Sequence, residues 1–403
     1  MFTRPVWAEI SRRNLVANFK RLRKLAGADA DLLAVVKANA YGHGVIECSP
    51  LLVAAGAKWI GVTCVEEGVR ARAACPDARV LVMSGLWKHE ADVLLAHRLT
   101  PVVWEDFHID LLLAAAARMG AAPASIPVHL ELDVGMARQG VRITHPDGMA
   151  ALWGILTRLR GSSPLQLEGL MTHFTAPETL DDAATDEQIA YLTEGVRMVA
   201  SQGLRPQWLS AGNSATLLGQ RDVKALRDLA KQFEARLLAR PGLALYGYSP
   251  RFPDWNAPAE EDLKPVLSWK TQVTSLRTLE AGDAAGYNST FRARRATRLG
   301  LLPCGYADGV NRLLSNRGEV LIRGQRVPIA GRVSMDQTIV DVTDVVGVDI
   351  GDEAVLIGSQ ETPPDVVPAE VSITAYDIAD LVGTIPYEVL CAINSRVPRK
   401  LVD

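Results

Sequence analysis

Across its first 250 residues the chain repeatedly sets a short apolar run against a longer amphipathic stretch, and this alternation constrains the fold most. The runs fall at Leu32–Lys37, Trp59–Cys64, Val80–Ser84, Pro101–Trp104, Pro127–Asp133, Leu167–His173, Trp208–Ala211 and Arg236–Arg240. Between them, stretches such as Asp106–Met119, Pro146–Arg160 and Asp181–Gln202 read as helices. Strand, helix and strand in succession make parallel βαβ units. Roughly eight strands in about 250 residues suit a closed (β/α)8 barrel of TIM type, with a doubly wound open sheet as the competitor. The barrel carries the sharper expectation, because its chemistry gathers at the C-terminal ends of the strands. Lys37, Asp133, His173, Asn213 and Arg240 all fall at or just past such ends.

Near residue 250 the texture changes. Ser249–Pro258 is rich in proline and turn formers, as a linker would be. Beyond it lie short alternating segments at Ser268–Leu276, Leu299–Pro303, Glu319–Ile322, Val327–Ile329, Thr338–Val342 and Glu353–Ile357. One helix is expected at Ser372–Val382, introduced by Ser372. The expectation is an α/β chain: a barrel domain over residues 1–250, then a mainly-β domain over 251–403 with which segment 1–10 pairs. A length of 403 residues agrees, being too great for one core.

A net charge of −3 offers no basic field for nucleic acid or anionic lipid. The five cysteines are odd in number and scattered, which argues against a disulfide framework or zinc site and for a reducing compartment. Met1 to Glu9 has no apolar core for a signal peptide, and no apolar run approaches membrane-spanning length. The expected location is the cytoplasm.

The first barrel run ends in Val35-Val36-Lys37-Ala38-Asn39-Ala40-Tyr41-Gly42-His43-Gly44. A lysine at the end of a buried strand needs a reason, since burying an ammonium is costly. Either it snorkels to solvent, or it works as an amine able to condense with an aldehyde cofactor. The two glycines after it let the backbone turn tightly. The whole string resembles the cofactor-binding signature of the alanine racemase family, in which this lysine carries pyridoxal 5′-phosphate (PLP).

The resemblance extends from Val35 to Arg399 through further motifs in family order. Asp133-Val134-Gly135-Met136-Ala137-Arg138 is similar to the substrate-carboxylate site, with Arg138 as the carboxylate's fork-shaped partner. The family more often has a lysine that becomes carbamylated where Glu131 stands; here Glu131 would supply that negative charge directly. His173, in Met171-Thr172-His173-Phe174, would stack on the cofactor ring. Asn213 and Ser214, with the backbone at Gly242 and Leu243 and with Tyr41 and Tyr387, would hold the phosphate. Arg240 would face the pyridine nitrogen. An arginine only donates, so that nitrogen stays unprotonated and the ring is a poor electron sink, which points to racemisation.

Inverting a stereocentre calls for two opposed bases, and Tyr287 resembles the family's second base, contributed by the partner subunit. Tyrosine serves as a base near neutral pH only beside cations, a field that His173 with Arg240 would provide. Gly286 and Asn288 flank it where the family more often has Ser and Gly, which leaves substrate range open. Tyr306 would narrow the entrance, and the backbone N–H of Met335 would meet the substrate carboxylate. The resemblance thus implies a PLP-dependent alanine racemase, a homodimer with shared active sites that makes D-alanine for peptidoglycan. A racemase of broader range that includes serine keeps the same residues. Arg240 and Tyr287 weigh against a barrel-type decarboxylase, and residues 251–403 against a non-catalytic PLP carrier.

Overall fold

A computed structural model of the chain describes residues 3–161, 163–179, 183–253, 263–362, 364 and 367–403. By backbone contacts it divides into two compact units. The first comprises residues 1–14, 41–47 and 265–403, the second residues 15–40 and 48–264. Part of the expected linker, residues 254–258, and the first two positions of the helix expected at 181–202 lie outside the described residues.

The second unit contains a closed barrel of eight parallel strands. In chain order these are Asp31–Val35, Trp59–Val62, Arg79–Val82, Thr100–Val103, Ile126–Asp133, Leu165–Met171, Trp208–Ser210 and Arg236–Ala239. Closure is made by the fourth and fifth, with Val102 opposite His129 and Val103 opposite Leu130. These strands read as apolar runs because both faces are covered. In the first, every residue from Asp31 to Val35 is buried. Helices fill the spaces between strands. Asp106–Met119 buries His108, Ile109, Leu112, Ala115 and Ala116 at helical spacing and stops where Gly120 turns left-handed.

The first unit is strand-rich. Its seven-stranded sheet runs Gln325–Pro328, Glu319–Ile322, Glu353–Glu361, Leu267–Gln272, Val6–Ser11, Arg399–Val402, with Glu370–Ile373 added beside Glu353–Glu361. Val6–Ser11 lies antiparallel to Leu267–Gln272 and parallel to Arg399–Val402, so the two ends of the chain meet in one sheet. The helix expected at Ser372–Val382 begins at Ala375, not near Ser372, and a second short helix, Pro386–Cys391, follows it. Ser372 belongs to the strand Glu370–Ile373, while Thr374 and Asp377 form a reciprocal capping box that fixes the helix start. Among the described residues no helix is long and apolar enough to cross a membrane.

Candidate functional site

Lys37 stands two residues past the first barrel strand and is half-buried. The backbone just beyond it is unusual. Ala38, Asn39, Ala40 and Tyr41 have φ of 51, 54, 55 and 52°, one turn of left-handed helix built from non-glycine residues. Such a turn costs roughly 1–2 kcal/mol for each L-residue and persists only where its surroundings hold it. The amide of Ala40 donates to Val36 O at 2.7 Å. Within the first unit, Arg399 donates through Nε and Nη2 to Gly42 O at 2.9 and 2.6 Å. Gly42 itself is at φ +81°, and a Cβ there would stand 2.1 Å from Leu390 O, so only glycine fits.

Across the barrel, the fifth strand sets His129, Glu131 and Asp133 at alternate positions on one face. Asp133 ends the strand and organises the next loop: Oδ1 accepts from Gly135 N at 2.9 Å and Ala137 N at 3.0 Å. That Asx turn delivers Arg138, which is exposed and makes no side-chain hydrogen bond or ion pair among the described residues. Glu131 accepts a hydrogen bond from Gln139 Nε2, which also donates to Met83 O at 2.9 Å. Arg138 and Arg240 reach Glu131 only as charges. Burial pushes the Glu131 carboxyl up to about 7 against the pull of Gln139, Arg240 and Arg138, with Asp133 adding to the push.

Arg240 follows the eighth strand and is buried. It donates to Ser210 Oγ at 3.0 Å, to Thr172 O at 2.6 Å and to His173 Nδ1 at 3.3 Å, tying together the ends of the sixth, seventh and eighth strands. Burial lowers its pKa to about 10, so it stays charged near neutral pH. A guanidinium only donates, so His173 Nδ1 must accept and its ring proton is assigned to Nε2. Burial first, then the charges of Arg240, Arg138 and Lys37, lowers the His173 pKa to about 3. His173 is therefore neutral. His173 thus adds no charge to the positive field expected of it with Arg240; the charges that reach the imidazole are those of Arg240, Arg138 and Lys37.

Beside this cluster two short helices begin together. Ser214 opens the first, and its Oγ accepts from Gly242 N at 3.0 Å and Ala244 N at 3.2 Å, where the 3-10 turn Leu243–Tyr246 starts. Asn213 caps the first helix by accepting from Thr216 N at 3.1 Å. Two helix starts and a hydroxyl make a cradle of donors, which suits a phosphate. A lysine at the strand end, a neutral imidazole, a buried arginine and this cradle match the parts of PLP: aldehyde, ring face, ring nitrogen and phosphate. The residues fit the group. Among the described residues no group of three or more His, Cys, Asp or Glu side chains could hold a metal ion.

The first unit collects the remaining expected residues. The rings of Tyr41 and Tyr387 lie 6.0 Å apart. The segments of Tyr306 and Met335 are laced together: Tyr306 N donates to Ser334 O and Ala307 N to Met335 O, each at 3.0 Å. A Cβ on Gly305 would stand 2.2 Å from Ser334 O, which explains the glycine before Tyr306. Asp308, fully buried, accepts from Arg4 Nη1 and from Gly305 N at 3.0 Å and forms an ion pair with Arg396 Nε at 3.2 Å, fixing the same loop. Gly286, just before Tyr287, runs alongside Gly331 and Arg332. Tyr287, Tyr306 and Met335 are 68%, 42% and 53% exposed, large side chains that the isolated chain leaves open.

Sequence reasoning placed Asp133 at a strand end and missed two other organising residues, Gln139 and Asp308. Asp133 was legible as an Asp-x-Gly at a strand end, a sign of an Asx turn. Gln139 and Asp308 gave no signal, because their partners are brought to them by the fold.

Similarity to known proteins covers both units. Residues 10–250 match the family model "Alanine racemase, N-terminal domain" and residues 266–401 "Alanine racemase, C-terminal domain". The alanine racemase of Carboxydothermus hydrogenoformans is 38% identical over 397 residues, covering 98% of this chain and 99% of that protein. The crystal structure of alanine racemase from D-cycloserine-producing Streptomyces lavendulae superposes with a TM-score of 0.85 at 30% identity, covering 100% of this chain and 98% of the other. That of Bartonella henselae, described with covalently bound pyridoxal phosphate, gives 0.78 at 26% identity and covers 99% of both chains.

Proposed function

This chain belongs to the alanine racemase family, and from that premise we propose how its own residues divide the work of the reaction. The protein is an isomerase that interconverts L- and D-alanine with PLP as cofactor. When bound, the cofactor withdraws electrons from the amino acid and so makes its Cα proton removable. Lys37 holds it and serves as the base on the D face of Cα. Tyr287 of a partner subunit serves the L face, each base returning a proton where the other has taken one. Arg138 grips the substrate carboxylate in a two-pronged pair, the Met335 backbone N–H adds a third donor, and Tyr306 narrows the approach.

Arg240 is the observation that carries this reading. A buried donor that is charged near neutral pH, set to face the ring nitrogen, would keep that nitrogen unprotonated, and negative charge would stay near Cα for prompt reprotonation. His173 offers a neutral face to the ring. Ser214, Asn213, Gly242 and Leu243, with Tyr41 and Tyr387, hold the phosphate. The functional protein is a homodimer whose sites take residues from both chains, and the exposure of Tyr287, Tyr306 and Met335 supports that arrangement. The D-alanine serves cytoplasmic synthesis of peptidoglycan precursors. Chiral analysis of alanine incubated with purified protein and PLP tests the reaction itself: both enantiomers converge to an equal mixture, and release of carbon dioxide instead would overturn the assignment.

Glu131 tunes Arg138 by charge. Removing that charge in Glu131→Gln is expected to raise KM for alanine about tenfold, a loss of about 1.4 kcal/mol, with a smaller change in kcat. The carboxyl's pKa is raised to about 7 in the folded chain, so the native state holds the proton more tightly than the unfolded one. The stability this group contributes is complete below about 4.5 and is lost as pH rises through about 7. Its charge reaches Arg138 over the same window, so wild-type KM should fall as pH rises through about 7 and the variant should lack that step. Unfolding midpoints of the two proteins should diverge across the window. Unchanged kinetics and parallel pH profiles would remove Glu131 from the site.

A further inference from the structure

Lys37 is clamped from both sides through its backbone. Ahead of it, Val36 N donates to Gly61 O at 2.8 Å, the last rung between the first and second barrel strands. Behind it, Ala38 N, the first amide of the left-handed turn, has no strand left to pair with. It donates instead to Glu67 Oε1 at 2.7 Å. The other oxygen, Oε2, accepts from Thr63 N at 2.9 Å. Glu67 sits in the first turn of the helix Val65–Ala74, directly after the second barrel strand. One carboxylate therefore continues the strand pairing beyond its end and holds the exit of the second strand to the exit of the first.

We propose that Glu67 is a positioning residue for Lys37, its carboxylate fixing the peptide after the lysine and thereby the direction in which the amine leaves the backbone. The proposal rests on the reading of Lys37 as cofactor-bearing lysine and D-face base. A carboxylate is the right acceptor for this place. It binds an amide more strongly than a neutral oxygen does, which matters because Ala38 is exposed and water competes for its N–H. It also offers two oxygens to two amides. A glutamine offers one, and an alanine releases the left-handed turn to choose another conformation. Glu67 acts on the direction of the amine and not on the substrate carboxylate, so its loss should appear in kcat and leave KM in place.

The test compares Glu67→Ala and Glu67→Gln with Glu66→Ala, a neighbour in the same helical turn that lies outside the site, and with Lys37→Ala. Kinetics with both alanine enantiomers, the visible absorbance of bound PLP, and deuterium exchange at the amides of residues 36–44, with and without PLP, are read together. Expected for Glu67→Ala are a kcat about tenfold lower, KM within about twofold of wild type, an altered absorbance band and faster exchange in the turn even without cofactor. Glu67→Gln should fall between this and wild type, and Glu66→Ala should match wild type. If Glu67→Ala does not fold, the exchange and kcat of Glu67→Gln decide. Wild-type kcat and exchange in the Glu67 variants, with Lys37→Ala inactive, would overturn the positioning role alone. Racemisation by Lys37→Ala would overturn the reading on which it rests.

Discussion

Tyr287→Phe is expected to lower racemisation by roughly 10²–10⁴-fold, the usual range for losing a general acid–base group, while leaving the fold intact. The change removes one oxygen and keeps the ring. At 68% exposure in the single chain the residue contributes little to the stability of its own unit, so unfolding midpoints should move little. The loss should be one-sided. In deuterated water Lys37 can still exchange the α-proton of D-alanine on its own face, whereas exchange from L-alanine should nearly stop. A two-base scheme produces that asymmetry, and equal residual exchange from both enantiomers would argue for one base serving both faces.

Lys37→Ala should be the more damaging change, lowering kcat by on the order of 10⁴-fold or more, because it removes a nucleophile and a base at once. The cofactor would lose its covalent hold and keep only the noncovalent contacts proposed for its phosphate and ring, so dialysis should strip PLP from the variant and not from the wild type. His173 provides a second readout. Lys37 is the third of the charges that depress its pKa, after Arg240 and Arg138, so the imidazole should titrate slightly higher in the variant and remain neutral near pH 7. Retention of PLP through dialysis, or wild-type turnover, would remove Lys37 from its place.

Much of this was legible in the chain before folding. Barrel strands buried on both faces appear as continuous apolar runs, and each of the eight expected runs holds a strand to within two residues at either end. The helix Asp106–Met119 was readable to both ends because Gly120 stops it. Lys37, His173 and Arg240 stood out because a polar residue just past an apolar run is costly without a task. The left-handed turn at Ala38–Tyr41 was not legible. Of its four residues only Asn39 tolerates positive φ well, and the conformation is imposed by contacts distant in sequence. Glu67, Gln139 and Asp308 were hidden for the same reason: each looks like an ordinary surface residue until the fold supplies its partner. At Ser372 a local rule misled, since Thr374 with Asp377 forms the stronger cap two residues later.

In the proposed dimer a complete site takes Lys37 from one chain and Tyr287 from another. Mixing the inactive Lys37→Ala and Tyr287→Phe proteins under conditions that exchange subunits tests it directly. In a mixed dimer one site would carry both substitutions and the other would carry neither. With random exchange at equal concentrations half the dimers are mixed, so about one quarter of wild-type activity should return. No recovery, with mixed dimers shown to have formed, would mean that each site is completed within a single chain.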